Sequence, residues 1–391
     1  MAIETENQAP PFAGLRVLEL AAVLAGPQVG QFFAELGADV LKIEPPAGDV
    51  TRHWRTAAEV ATAALAGSPA ASVSAYFAAS NWGKTSCVLD LTTPAGRAEV
   101  RRLAAQTDLV LTSYKPGDAE KLGADYATLA ADNPRLIYGQ ITGYGPGDPR
   151  AGYDAVLQAE AGFMHLNAAG PDAPPQKMPV ALLDLLAAHQ LKEGLLTALY
   201  QREKTGRGTL VQVSLLASAL AGLANQAATF LVTGHDPAPL GSGHPGIVPY
   251  GTVYRAADGQ RLVLAVGTDG QFRQLCAVLQ RPHWAQELRF ATNAARVAHR
   301  EALEALLSQR IAELSGGALL HELARLAVPA GAVRTVGEAL THESAQAMRL
   351  PPTADFPYAG LRTVAFQAAG WAPRAELSAP PALPAGPLAA S

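Results

Sequence analysis

The apolar positions of the first half of the chain fall in short runs separated by stretches of helical spacing. LRVLEL (15–20) reads as a buried strand. GPQVGQFFAELG (26–37) reads as a helix opened by Pro27 at its first position, and ADVLKIE (38–44) as the next strand. The unit repeats in TSCVLDL (85–91), a helix over TPAGRAEVRRLAAQT (93–107) and DLVLTSY (108–114). A helix near Ala124–Asp132 and the strand RLIYGQIT (135–142) follow. Strands spaced by single helices predict right-handed parallel crossovers, hence an α/β layered, Rossmann-like domain.

The texture changes after Thr205. TGRG (205–208) is a turn ending a long helix, and LVQVSLL leads into an uncharged stretch, Val211 to Gly234. That stretch is long enough to span a bilayer, but its alanines, serines and central Asn225–Gln226 predict a buried helix instead. A loop rich in Gly, Pro and His (234–248) precedes VPYGTVYRAADGQRLVLAVG (248–267), an antiparallel hairpin turning at Asp258–Gly259. Helices at 271–281 and 300–314 complete a smaller α+β domain, and VPAGAVRTVGEAL (328–340) resumes the strand-helix style. The expected division is a large domain of 1–205 and 328–391, closed by the C-terminal segment. A linker helix (206–235) and a small domain (236–327) complete it. The Pro- and Ala-rich LSAPPALPAGPLAAS end is expected to fray.

Charge narrows the function. With a net charge of −4 and scattered Lys and Arg, no basic stripe is available to neutralise nucleic-acid phosphates. Cys87 and Cys276 are too few for a disulfide framework or a Cys-based metal site, which suits a reducing compartment. The start, MAIETENQAPP, lacks the basic and apolar regions of a signal peptide. The expectation is a cytoplasmic protein with no membrane segment and no metal.

The first strand, glycine-bearing turn, helix and second strand ending in Glu44 look like a dinucleotide-binding unit. Gly26 and Gly30 are spaced GxxxG, however, whereas close pyrophosphate approach needs GxGxxG. Pro27 also removes a helix N-terminal donor. A nicotinamide-dependent oxidoreductase is therefore disfavoured against a parallel-sheet unit that binds nothing there. Further along, the strand-like VALL (180–183) followed by the helix LLAAHQLKEGLLTALYQRE (185–203) places Asp184 at an N-cap. Capping alone accounts for an aspartate there. The same position favours the ionised carboxylate, the form that acts as a nucleophile.

Several runs together resemble the class III CoA-transferases, the group containing formyl-CoA and carnitine CoA-transferases. They are VLAGPQVGQFFAELGADVLKIEPPAGD (23–49), VLDLTTPAGR (88–97), YKPGDAEKLG (114–123), NPRLIYGQITGYGPGDP (133–149) and GYDAVLQAEAGFM (152–164). LLDLLAAHQ (182–190), YQREKTGRG (200–208), HPGIVPYG (244–251), RFATNAARVAHR (289–300) and VPAG (328–331) extend the match in order. The resemblance implies that Asp184 is the covalent nucleophile. It attacks an acyl-CoA to give a mixed anhydride, and CoA thiolate converts this to an enzyme-CoA thioester. Coenzyme A contacts are implied at Leu24 and Ala25, at Leu89, Asp90, Leu91 and Thr92, and at Ser113, Tyr114 and Lys115. Lys121, Thr142, Gly143 and Tyr144 complete them. Lys115 and Lys121 suit the nucleotide phosphates and Tyr114 the adenine face. GSGHPG, with Gly241, Ser242, Gly243 and His244, matches the family's mobile loop over the active site. Tyr153 and Asp154 are implied substrate-side residues. An interlocked homodimer is implied too.

The chain departs from the family pattern in three places. Asn81-Trp82-Gly83-Lys84 stands where Asn-Arg-Asn-Lys is usual, Thr92 where lysine is usual, and the tail lacks a His-Thr pair. Two alternatives follow within the resemblance. The 2-methylacyl-CoA racemases use a His-Asp pair where this chain has Tyr153–Asp154, and tyrosine is a poor base at neutral pH. His165 and His189 are spare candidates. A non-catalytic subunit of a heteromeric transferase would explain the lost basic residues but not Asp184. The acids exchanged are not encoded in any pattern here.

Overall fold

The structure is a computed structural model that describes residues 9–66 and 73–384. The chain divides into two units, one comprising residues 1–161, 180–223 and 344–391, the other residues 162–179 and 224–343.

In the first unit, β1 (Arg16–Glu19) leads to helix α1 (Ala25–Glu35) and β2 (Asp39–Glu44). Then come β3 (Lys84–Val88), α2 (Pro94–Ala104), β4 (Leu109–Thr112) and β5 (Ile137–Thr142). Helices α3 (Asp154–Glu160) and α4 (Leu182–Thr205), strand β6 (Leu210–Ser214) and α5 (Leu215–Gly222) complete the series. The six strands form one parallel sheet in the order β3-β2-β1-β4-β5-β6. Helices cover such a sheet on both faces, so its central strands are apolar without alternation; β4, LVLT, is buried at every residue. The order reverses between β1 and β4, and the connections leave in opposite directions there. In open α/β sheets ligands bind at such a switch point, outside the carboxyl ends of the strands.

The C-terminal segment returns to this unit. Gly83 donates its N–H to Ser378 O (2.9 Å), and Gln31 Nε2 donates to Leu361 O (3.1 Å). Trp82 is buried edge-on to Phe356, ring centroids 5.6 Å apart. The two unusual residues of the Asn81-Trp82-Gly83-Lys84 run therefore serve packing against the returning segment.

Several expectations are corrected. Pro27 is the third residue of α1, behind an N-cap at Leu24. VALL is not a strand: α4 starts at Leu182 with Ala181 as N-cap, so Asp184 lies inside the first turn. The uncharged stretch is not one buried helix. Its start is β6, where Val211 and Val213 pair with Gly139 and Ile141, and β-branched residues favour a strand there. The remainder is α5 and α6 (Asn225–Thr233), interrupted at Ala224, whose φ is +44°. None of α6 is buried, and Leu231 and Val232 are 79% and 83% exposed. Among the described residues no single helix is long and apolar enough to cross a membrane.

The second unit contains an antiparallel sheet of β7 (Tyr250–Arg255), β8 (Arg261–Ala265) and β9 (Ala330–Ala332). The hairpin between β7 and β8 turns through Gly259, whose φ of +83° suits a residue without Cβ. Leu262 and Leu264 pack with Phe272, Leu275, Leu303, Leu307, Leu319 and Leu323 from the surrounding helices. The expected return to the large domain at 328 fails. β9 pairs with β8, Leu262 opposite Ala332, and the chain rejoins the first unit only near Ser344. Residues 162–179 also belong to the second unit, and 206–223 to the first, so the proposed linker helix is not a separate element.

Candidate active site

The loops at the switch point are tied to each other. Ser113, the residue after β4, accepts the Ala22 N–H on its Oγ at 3.0 Å, joining the loops that follow β1 and β4. Val23 next to it adopts a φ of +71°, unusual for a β-branched residue and costing about 1 kcal/mol or more. Asp49 holds it there by accepting the Val23 N–H on Oδ2 (3.3 Å). The loop so fixed delivers Leu24 and Ala25 at the start of α1.

The other CoA-contact candidates follow strands of the same sheet. Leu89, Asp90, Leu91 and Thr92 follow β3; Ser113, Tyr114 and Lys115 follow β4; Thr142 ends β5, before Gly143 and Tyr144. The fold thus brings them to one edge, the carboxyl edge. Asp90 accepts from Thr92 N–H and Oγ1 (3.0 and 2.6 Å), and these bonds hold its carboxyl below the ordinary range. Gly143 meets Gly152 backbone to backbone: a Cβ on Gly143 would stand 2.5 Å from Gly152 Cα. This approach brings Tyr153–Asp154 beside the end of β5. Lys115 is exposed, and Lys121 is exposed and paired with Asp118 at 2.9 Å. Tyr114 packs partly into the core of the first unit, and burial pushes its hydroxyl up to about 12. The Arg150 guanidinium stacks on the Tyr144 ring at 3.6 Å, a contact the sequence reading did not single out.

Beneath the loops lies a buried ionic cluster that local sequence gave no means of assembling. Glu19 bridges Lys42 (3.0 Å) and Lys84 (2.7 Å), and Lys42 also pairs with Asp49 at 3.1 Å. Burial pulls the Lys42 pKa down, but Glu19, Asp49 and Glu44 outweigh it and leave it raised. Lys84 is pulled down to about 8, chiefly by burial, with Glu19 opposing. Glu44, at the place of a ribose-gripping acid, is instead clasped by Arg52 at 2.6 Å, which further removes the dinucleotide reading.

Asp184 is the third residue of α4 and partly buried. Asp154 accepts the Leu183 N–H on Oδ2 at 2.9 Å and so supplies the cap that Ala181 lacks. Burial first, and the Asp154 charge second, push the Asp184 carboxyl up from 3.8 to about 7. The helix N-terminus therefore does not keep it fully ionised at neutrality; desolvation and a like charge outweigh the helix end. Tyr76, half-buried on the short helix Ala75–Ala78, feels burial and then the charges of Asp184, Asp154 and Asp49, which raise its pKa. Trp54 meets Tyr76 edge-on at 5.1 Å. Neither aromatic was singled out from sequence, because nothing local links them to a residue over a hundred positions away. Tyr153 is 61% exposed at the N-cap of α3. His189 is exposed on α4, and His165 is exposed in the second unit.

Gly241, Ser242, Gly243 and His244 belong to the second unit. Gly241 has the positive φ (+60°) and donates to Ala168 O at 3.0 Å. Arg300 holds the carbonyls of His244 and Pro245 at 2.7 and 3.0 Å.

Loops tied together at the switch point of a parallel α/β sheet, with a partly buried carboxylate opening a long helix of the same unit, are the arrangement of an α/β enzyme. The sequence profile of CoA-transferase family III matches residues 12–385, and the chain belongs to this family as a CoA-transferase. It is 40% identical to a succinate–glutarate CoA-transferase of Agrobacterium fabrum over 349 residues, 88% of this chain and 85% of the relative. It is 35% identical to an acetyl-CoA:oxalate CoA-transferase of Acetobacter aceti, covering 84% and 82% of the two chains. The crystal structure of a CaiB/BaiF family protein from Brucella suis superposes with a TM-score of 0.80 at 38% identity, covering 97% of each chain.

Proposed function

We propose that this enzyme exchanges CoA between small dicarboxylic acids by covalent chemistry on Asp184. The position of Asp184 carries this reading: an accessible but poorly solvated carboxylate at the start of α4, pushed up to about 7. A carboxylate of raised basicity is a better nucleophile once ionised. The acids are proposed from the relatives, which act on succinate, glutarate and oxalate by their names.

In the proposed cycle an Asp184 oxygen attacks the thioester carbonyl carbon, the C–S bond breaks, and CoA leaves as thiolate. The thiolate attacks the aspartyl carbonyl of the mixed anhydride and releases the donor acid as carboxylate. The acceptor carboxylate attacks the resulting aspartyl-CoA thioester, and the two steps run in reverse. One thioester replaces another, so no ATP is consumed. Leu24, Ala25 and the loops after β3, β4 and β5 would hold CoA, and the exchange needs water kept away, because water hydrolyses both intermediates. The racemase alternative lacks the histidine of its His-Asp pair: Tyr153 stands there, a poor base at neutral pH, and the spare histidines His165 and His189 are both exposed. We further propose a homodimer, supported by the exposed apolar side chains of α6.

Incubation with succinyl-CoA should add the mass of CoA less water to the peptide containing Asp184, and hydroxylamine should discharge it. Asp184→Asn should fold, form no adduct and lose turnover. Transfer by Asp184→Asn at the wild-type rate would overturn the assignment.

A further inference from the structure

The start of α4 is built from a distance. An N-cap of Ala181 offers no side-chain oxygen to the free N–H groups of the first turn. Asp154, 29 residues before Leu183, meets that need with Oδ2 on the Leu183 N–H. Its Oδ1 accepts from Gln158 Nε2 at 2.7 Å, and the same amide reaches Val180 O at 3.4 Å. Gln158 is fully buried, so the clamp grips the chain on both sides of Ala181. A neutral oxygen would suffice to cap a helix. The carboxylate adds a negative charge one residue from Asp184.

No other charge is placed to answer it among the described residues of the first unit packed around α4. The helix Ala75–Ala78 brings only the Tyr76 phenol. Along α1 the one charged residue is Glu35, in its last turn, where it interacts with Lys192 two turns along α4. Strands β5 and β6 and helix α5 carry no charged residue, and the other charge on α3, Glu160 at its far end, pairs with Arg150 at 3.5 Å.

We propose that Asp154 is a positioning residue for Asp184: it fixes the first turn of α4, and its charge destabilises the resting carboxylate beside it. Acylation turns Asp184 into an uncharged anhydride and then an uncharged thioester, so the repulsion is relieved as each covalent intermediate forms. The second cause of the raised Asp184 pKa, the Asp154 charge, agrees with this geometry. The catalytic half rests on the reading of Asp184 as nucleophile.

The test uses Asp154→Asn, which keeps an oxygen for the Leu183 N–H, and Asp154→Ser, whose shorter side chain gives up that bond; both remove the charge, and Asp154→Glu restores it. The Asp184 carboxyl is titrated by infrared difference against Asp184→Asn, a readout independent of turnover. Both neutral variants should lower its midpoint by roughly one pH unit. They should move the acid limb of kcat/KM down equally, while Asp154→Glu stays near wild type. An unchanged midpoint in either folded neutral variant would overturn the coupling. A lowered midpoint in an enzyme that never forms an Asp184 adduct would uphold the coupling and overturn the nucleophile.

Discussion

Gly30 of α1 passes so close to Glu19 of β1 that a Cβ at residue 30 would stand 1.8 Å from Glu19 Oε2. The GxxxG spacing thus serves helix-to-strand packing over the ionic cluster, Gly26 likewise meeting Ala21. Gly30→Ala should displace the carboxylate that neutralises Lys42 and Lys84. Glu19→Gln keeps the volume but leaves Lys84 without its carboxylate. Each should cost roughly 3–5 kcal/mol, read as a fall in the denaturation midpoint. A loss below about 1 kcal/mol for Glu19→Gln would show that the cluster does not hold these charges.

Asp184 should make stability depend on pH in a definite direction. Its carboxyl is raised in the folded chain, so the folded state binds the proton more tightly than the unfolded one. Stability is fully present below about pH 4 and is lost as pH rises through about 7. Asp184→Asn has no such loss. Its advantage over wild type should be near zero at pH 4 and reach on the order of 1–3 kcal/mol at pH 8, allowing for partial solvation. Thermal unfolding curves that stay parallel across this range would contradict the raised carboxyl.

Asp49 and Ser113 should matter for binding more than for chemistry. Both hold the Ala22–Val23 backbone that leads to the proposed CoA contacts. Ser113→Ala removes one tie, and Asp49→Asn turns an acceptor into a donor beside Lys42. Each should raise the KM for acyl-CoA about tenfold, the equivalent of about 1.4 kcal/mol, with a smaller effect on kcat. Equal falls in kcat and kcat/KM would instead place these residues in the chemical step.

Assembly is checked by light scattering. The proposed homodimer should keep the mass of two chains on dilution to nanomolar concentration, and a monomer that transfers CoA would rule it out.

The sequence by itself determined the parallel strands from β1 to β5 and the β7–β8 hairpin. Buried strands need unbroken apolar runs such as LVLT, and the hairpin turn needs a residue that tolerates positive φ, here Gly259. The motif runs also carry the family, and within them LLDLLAAHQ marks Asp184. Tertiary structure alone decided the rest. Residues 328–340 have the local pattern of the large domain, yet β9 joins the small sheet because β8 offers it an open edge. Val211–Ser214 became a strand because β5 lay beside it, a fact no window of nearby residues contains. The charge state of Asp184 was also out of reach, since it depends on burial and on Asp154, whose carboxylate caps a helix that its own neighbours leave uncapped. Periodicity records which face of an element is apolar. Which partner covers that face, and how far it excludes water from a carboxylate, is fixed only when distant segments pack.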